Sequence, residues 1–321
     1  MRFLIVADVH LGFRSLNKTE RGVNVRERDV YESFFRVLEV VTRESPDVVF
    51  IAGDLFDSRR PSADAYNVAF EVISRFPETV IVAGNHDNDS PYSRSPLRVL
   101  QRRLSNVRVV LRPQVLSVKG YRVFCLPYAE TCGFEPADFL VAHVRDSRIS
   151  RYRGSLRVRN ELYRFCFSGD LHVYTKVDEN FVYVGAPERF TFEQEGHPVG
   201  VLLFEPESLS LQYVEFPGRK FVTLETPPSD LEELRGAVVR VVLDEGVDTS
   251  WLRQIKDVAL YVSVTWRRTR KEDVVPVEIT KGNLFEKFEA FVARGSFSSK
   301  AVELSRTALR SAHEFEQSKS F

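Results

Sequence analysis

The sequence predicts an α/β protein in which two sheets pack face to face with helices outside, followed by a small α/β unit and a short helical tail. Three observations carry this prediction. Over residues 2–104, apolar runs that end in acids alternate with stretches of helical periodicity. From residue 107 the pattern changes to short strands separated by turn residues. Pro-Pro-Ser-Asp at 227–230 then marks a boundary before a smaller alternation of the same kind.

Taken in order, "RFLIVAD" (2–8) is continuously apolar, the pattern of a strand buried on both faces. "ERDVYESFFRVLEVVTRES" (27–45) sets Phe34, Leu38 and Val41 at helical spacing, and Pro46 closes it. "DVVFIAGD" (47–54) is a second buried strand. "SADAYNVAFEVISRF" (62–76) opens with Ser62 as N-cap and reads as a helix. "TVIVAGNHD" (79–87) is a third strand and "SPLRVLQRRL" (95–104) a further helix, so the first sheet is expected to be largely parallel. "VRVVL", "QVLSVKGYRVFCLP", "DFLVAHV", "YRFCFSGD", "NFVYVGAP", "PVGVLLFE" and "SLQYVEF" follow as strands, with Lys119-Gly120 as a hairpin turn. Helices are expected outside both sheets. Past the boundary come "GAVVRVVLDE", a polar helix around Trp251, and "VALYVSVTWRR". The last stretch, 283–317, reads as two helices broken at Gly295.

At 321 residues with 43% apolar and 28% charged, the chain can bury a sizeable core and lacks the composition of disorder. Its formal net charge is zero, so an anionic partner must be met by local basic patches. Of 45 basic residues 35 are arginine, which suits phosphate through a bidentate fork and equally suits a thermostable surface. Cys125, Cys132 and Cys166 form no C-x-x-C pair and read as buried, reduced thiols. Asp8 comes too early for a signal peptide and no apolar run approaches membrane-spanning length. The expectation is a soluble, cytoplasmic protein with no membrane partner.

Chemistry gathers at the strand ends. The first three give Asp8-x-His10, Gly53-Asp54-x-x-Asp57 and Gly84-Asn85-His86-Asp87; later ones end at His143 and in "GDLH", Asp170-x-His172. Carboxyl ends of strands in an open α/β sheet are where ligands bind. The glycines at 53, 84 and 169 let the chain turn sharply and bring backbone close to a shared site. A lone histidine at a strand end is usually structural, but five ends bearing oxygen or nitrogen donors are hard to assign to packing. Carboxylates, imidazoles and an amide suit a hard-to-borderline divalent ion. Two ions bridged by Asp54 would clamp the attacking and leaving oxygens of a phosphoryl displacement.

D-x-H, G-D-x-x-D, G-N-H-D, a lone His and a terminal G-x-x-H, in that order, resemble the calcineurin-like metallophosphoesterases. "DVHLGFR" (8–14), "AGDLFDSRRPS" (52–62), "GNHD" and "YVGAPERF" (183–190) resemble the SbcD group within them, nuclease subunits of double-strand-break repair. The resemblance implies a two-sheet metallophosphoesterase sandwich over 1–217, a DNA-capping domain over 218–280, and a helical segment over 281–321 that docks an SbcC-type coiled-coil ATPase. One metal would take Asp8, His10, Asp54 and His172; the second would share Asp54 and add Asn85, His143 and residue 170. His86 would contact the phosphate and protonate the leaving oxygen, with Asp57 or a neighbour orienting its ring. The cofactors implied are two divalent ions, manganese first and magnesium second. The implied activity is exonuclease and endonuclease cleavage of DNA ends beside the nucleoid, by a homodimer joined through helices 62–76 and 95–104.

At residue 170 this chain has aspartate where the family pattern has histidine. Asp170 either binds the second metal through its carboxylate, or is too short to reach it, or marks a chain that has become a non-catalytic DNA- and ATPase-binding scaffold. The first reading is preferred because every other ligand is present. A further alternative is a phosphodiesterase acting on another phosphate ester. Seven arginines and two acids in 145–164, directly after His143, offer a path for a DNA backbone. Arg148, Arg151, Arg153, Arg157 and Arg159 are the candidates. A second basic stretch, 94–112, fits a solvated face equally well, and Trp266, beside four basic residues, reads as core rather than a base-stacking platform.

Overall fold

The computed structural model describes residues 1–87, 95–128, 133–149 and 155–267, with 288, 289, 292, 299, 300, 302–307 and 309 of the tail. The chain divides into two compact units, Met1–Arg267 and Arg268–Phe321. The first opens with β1 (Phe3–Val6), a short hairpin of β2 (Thr19–Glu20) and β3 (Val23–Asn24), and α1 (Val25–Glu44). Next come β4 (Val48–Ala52), α2 (Ala63–Ile73), β5 (Glu78–Val82), α3 (Leu97–Arg103) and β6 (Val107–Val110). They are followed by β7 (Gln114–Val118), β8 (Tyr121–Leu126), β9 (Phe139–His143), β10 (Phe165–Gly169), β11 (Thr175–Asp178) and β12 (Phe181–Tyr183). β13 (Val199–Glu205) and β14 (Ser210–Phe216) then return to the first sheet.

That sheet runs β14-β13-β1-β4-β5-β6, parallel from β1 to β6 with β13 antiparallel to β1. The second runs β11-β12-β10-β9-β8-β7, parallel from β12 to β8. The unbroken apolar runs are explained by burial on both faces. In β1, Phe3 and Ile5 point at the second sheet and join Phe50, Phe139, Phe167 and Phe204. Leu4 and Val6 point the other way, into Phe34, Val37 and Ile73 of the helices. Asn24 caps α1 by accepting from the Arg26 and Glu27 amides, and Ser45 ends it in the left-handed conformation at φ 48°. Ser62 caps α2 through the Ala65 amide at 3.1 Å. Lys119 and Gly120 both have positive φ, as a type I′ hairpin turn requires.

Two expectations meet the structure differently. Among the described residues, helices cover the first sheet alone. The outer face of the second, with Phe124, Leu140 and Cys166, is covered by Val144, Val158 and Tyr163. The described residues of this covering stretch form a bridge between Asp146 and Leu156 and a single 3-10 turn at Asn160–Leu162, with no α-helix. Trp266 is the second difference. It is half exposed, at the end of the edge strand β17 (Tyr261–Trp266), past the cover of α4 (Leu252–Val258). The helices expected over 283–317 lie largely outside the described residues, as does Cys132; Cys125 and Cys166 are free and buried.

The smaller sheet is β15 (Phe221–Leu224), β16 (Val238–Leu243) and β17, all parallel, closed over Ile255 of α4. It is bound to the sandwich by Arg219 on Asp29, by Glu195 on Thr223, and by Arg240 stacked 4.5 Å over Phe192. The Pro-Pro-Ser-Asp stretch at 227–230 lies within this unit, between β15 and β16, whereas the bound at 217/218 that the resemblance implies lies between β14 and β15.

Phe204 sits where the two sheets meet, within 5.4 Å of the Phe139, Phe165 and Phe167 ring centroids. Phe204→Ala should therefore destabilise the chain by about 3–5 kcal/mol in urea unfolding. A loss under about 1 kcal/mol would contradict this account of the core.

Candidate metal centre

The parallel register brings the ends of β1, β4 and β5 side by side, and the loops beyond them continue to pair. The Asp8 amide donates to Gly53 O at 3.1 Å, and the His10 amide to Asp54 O at 2.9 Å. At these points the chain leaves the sheet through the left-handed region. Asp8, His10 and Asp54 have φ of 52°, 53° and 48°, uncommon for side-chain-bearing residues and the kind of local strain that collects at functional sites. Gly53 is required twice over. Its φ is +87°, and a Cβ there would lie 1.9 Å from His143 Nδ1. At Gly84 conformation is not the issue; a Cβ would lie 2.0 Å from Asp54 Oδ1.

His143 and His10 are each fixed through Nδ1 so that Nε2 faces the centre, as in metal sites whose ligands are oriented from behind. His143 Nδ1 donates to the Ala52 carbonyl at 3.0 Å, leaving Nε2 at 3.1 Å from Asn85 Oδ1 and 3.4 Å from Asp54 Oδ2. His10 Nδ1 donates to the Asp57 carboxylate at 3.2 Å, and its Nε2 lies 3.2 Å from His172 Nε2 and 3.8 Å from Asp54 Oδ2. His172 Nε2 is 3.9 Å from Asp8 Oδ1. The Asp57 side chain thus orients His10. His86 is held instead by the Asp57 backbone carbonyl, which accepts from its Nδ1 at 2.8 Å. Asp57 thus meets His86 through its carbonyl, its carboxylate being engaged by His10.

Among the described residues three donor groups lie close enough to share an ion: Asp8–His10–His172, His10–Asp54–His86 and Asp8–Asp54–His143. Asn85 adds an amide oxygen beside His143. Oxygen and imidazole donors without thiolate fit a hard-to-borderline divalent ion. The electrostatics fit it too. Burial opposes charge on His143, but the Asp54 and Asp8 carboxylates outweigh this and push its pKa up to about 10. Burial also raises Asp8, whereas Asp54 is held well below the usual carboxylate range, since the His143 charge overcomes its own burial. Burial, reinforced by the neighbouring His10, lowers His172 to about 3, so its ring is neutral and its lone pair available. The buried carboxylates hold a proton on His143 where a cation could stand.

Asp170 is in none of these groups. Its carboxylate accepts from Arg145 Nε at 2.6 Å, and its backbone amide points at both Asp8 oxygens, at 3.1 and 3.2 Å. Of the arginines singled out for DNA, Arg148 is an internal strut, bonded to Asp146 at 2.8 Å and stacked on Phe181. Arg157 and Arg159 are exposed, the latter paired with Glu161; Arg151 and Arg153 lie outside the described residues. Sequence reasoning missed Asp87, the last letter of "GNHD". Its fully buried carboxylate accepts from the Leu55, Phe56 and Gly84 amides at 3.0–3.2 Å and stitches two of the loops together. It missed Phe190 as well, whose ring packs edge-on against His10 and His172. The "GAPERF" stretch was the signal for it.

The sequence profile of the calcineurin-like phosphoesterase family matches residues 1–175. Several proteins named DNA double-strand break repair protein Mre11 match over shorter stretches. That of Methanocaldococcus jannaschii is 33% identical over 129 residues, 39% of this chain and 33% of the relative. That of Methanopyrus kandleri is 41% identical over 107 residues, 32% of this chain and 23% of the relative. That of Methanosarcina mazei is 25% identical over 328 aligned positions, 88% of this chain and 52% of the relative. The chain spans no more than about half the length of these curated relatives.

Two outcomes follow from the geometry. Because His143 carries a proton at neutral pH and must lose it to bind a metal, manganese binding at pH 7 should release at least one proton per chain. Affinity should rise with pH up to about 10, where the His143 proton is lost without metal, and level off above it. Calorimetry in buffers of differing ionisation enthalpy checks this, and an identical heat in all buffers would contradict it. Asp57→Asn, by loosening His10, should weaken manganese about 10- to 100-fold in the same titration, and wild-type affinity would refute that role.

Proposed function

Because the chain belongs to the calcineurin-like phosphoesterase family, whose profile covers more than half of it, we propose that it is a metal-dependent nuclease that hydrolyses DNA phosphodiesters in double-strand-break repair. The observation that carries this reading is the convergence of donors from five strand ends on one cleft. The family's phosphoester chemistry supports this reading, and the names of the repair relatives favour DNA as the substrate.

Asp8, His10, Asp54 and His172 would hold one ion, and Asp54, Asn85 and His143 a second; manganese suits this set first and magnesium second. When bound, such ions polarise phosphoryl oxygens and supply a nucleophile near neutral pH. The chain's own residues do the rest. His86 stands at the mouth of the cleft with Asp57, Ser58, Arg59 and Arg60 around it. Its Nδ1 is fixed on the Asp57 carbonyl, so its Nε2 is the atom that would meet a phosphate and pass a proton to the leaving oxygen. The Asp57 carboxylate keeps His10 in one tautomer, and the Phe190 ring packs edge-on against His10 and His172. Exposed Arg157 and Arg159 offer phosphate contacts that carry no sequence preference.

The same reading has the chain act as exonuclease and endonuclease on DNA ends, as a homodimer near the nucleoid. The small sheet would guide the duplex, and the tail beyond 281 would dock an SbcC-type ATPase. Among the described residues no helix is long and apolar enough to cross a membrane.

A labelled duplex with a single-stranded flap, incubated with manganese, tests the central step. The wild type should cut it, and His86→Ala should lose at least about a hundredfold in rate while keeping its melting temperature. Undiminished cutting by His86→Ala would remove His86 from the chemistry; an inert wild type would remove the nuclease.

A further inference from the structure

His10 and His143 are each tied at Nδ1 by an oxygen, but among the described residues no oxygen holds the His172 ring at that atom. His172 also lies outside any strand, in the bend between β10 and β11. Its place is set by its backbone and by the rings around it. The His172 carbonyl accepts from the Ala186 amide at 3.0 Å and from Gln194 Nε2 at 3.2 Å. The Phe190 ring packs against the imidazole with centroids 5.2 Å apart, and the Phe190 amide donates to Gln194 Oε1 at 2.7 Å. One side chain, Gln194, thus holds both the carbonyl of His172 and the backbone of the ring that braces it. Gln194 is 2% exposed and uses its whole hydrogen-bonding capacity. Its Oε1 also accepts from the Thr191 amide at 3.3 Å, and its Nε2 also donates to the Glu188 carbonyl at 3.4 Å.

We propose that Gln194 is a positioning residue of the metal centre. Through the backbone it does for His172 what the Ala52 carbonyl and the Asp57 carboxylate do for His143 and His10. The inference rests on the metal-dependent reading above and adds a residue to it. The residue type supports it. Gln194 closes a capping box with Thr191 at the short turn Phe192–Gln194, and that role needs only an acceptor, which a glutamate would supply as well. An amide is needed because two carbonyls, of His172 and Glu188, are met by its N–H groups. The nitrogen end of the side chain therefore serves the His172 loop and not the turn. The anchor is itself fixed. Glu188 accepts from the Arg219 amide at 2.7 Å, and Glu195 accepts from the Thr223 amide and hydroxyl, both at 2.6 Å. The segment that carries Gln194 is thus secured to the small sheet, which gives its hold on His172 a firm base.

Manganese binding to the full chain, followed by calorimetry on variants shown by thermal melting to be folded, tests this. The wild type should take two ions. Gln194→Ala should weaken one of them about tenfold and leave the other unchanged. Gln194→Glu keeps an acceptor for the Phe190 and Thr191 amides and should fall between. His172→Ala should weaken the same ion, and adding Gln194→Ala to it should cost nothing more, because a residue that acts through His172 then has nothing left to position. If Gln194→Ala does not fold, Gln194→Glu carries the same cycle. Equal losses with and without His172 would mean that Gln194 acts on the fold as a whole, and would overturn the inference. So would wild-type affinity in both Gln194 variants, or a wild type that binds no manganese. A chain that binds two ions, loses affinity for one in Gln194→Ala by way of His172, and yet leaves the flap duplex uncut would remove the DNA reading and leave the role of Gln194 standing.

Discussion

The buried pair of carboxylates, Asp8 and Asp54, is the constraint on which the rest of the structure depends. They stand at the ends of adjoining parallel strands, both essentially inaccessible to water. Two like charges in a poorly solvated space are costly unless a cation compensates them, and in this chain the nearest compensation is a proton held on His143. The surroundings make sense as provision for something better than a proton. His10 and His143 are each tied from behind by an oxygen so that the other nitrogen looks inward, and His172, neutral, looks at the same space. Gly53 and Gly84 are glycine because the atoms of a side chain would occupy the positions of His143 and Asp54.

The sandwich supplies the rigidity that this arrangement needs. Donors come from both sheets: Asp8, Asp54 and Asn85 from the first, His143 and His172 from the second. Their separation is therefore set by the packing of the aromatic layer between the sheets, with Phe50, Phe139, Phe167 and Phe204 in it. Interiors packed at crystalline density resist small shifts, so an ion held across two sheets meets a preorganised set of ligands. Asp87 works at shorter range, binding the loops after β4 and β5 to one another.

Most of the fold was legible because apolar runs closed by an acid leave few alternatives to buried parallel strands. The capping residues Asn24 and Ser62 and the turn at Lys119-Gly120 act within a few residues, and the motif clusters mark strand ends directly. Of these caps Ser62 is legible from the sequence, whereas the helical periodicity begins two residues after the start of α1. What sequence did not disclose depends on contacts between distant segments. That Asp57 turns its carboxylate to His10 and its carbonyl to His86 follows from how three loops stack. That Arg145 reaches Asp170 follows from the register between β9 and β10, which no local pattern encodes. Trp266 was misjudged because an aromatic in a strand pattern looks the same at a sheet edge as at its centre. Arg148 looked like a surface arginine, yet it supports the covering of the second sheet.

The central claim is that these strand ends form a metal centre for phosphodiester chemistry, with Asp170 outside it. Crystals of the chain soaked in manganese and measured at the manganese absorption edge test it most directly. The account predicts one anomalous peak bounded by Asp8, His10, Asp54 and His172 and a second bounded by Asp54, Asn85 and His143, with the Asp170 carboxylate still on Arg145. Absence of any peak among these residues would contradict the metal centre, and a peak coordinated by Asp170 would contradict the place assigned to that residue.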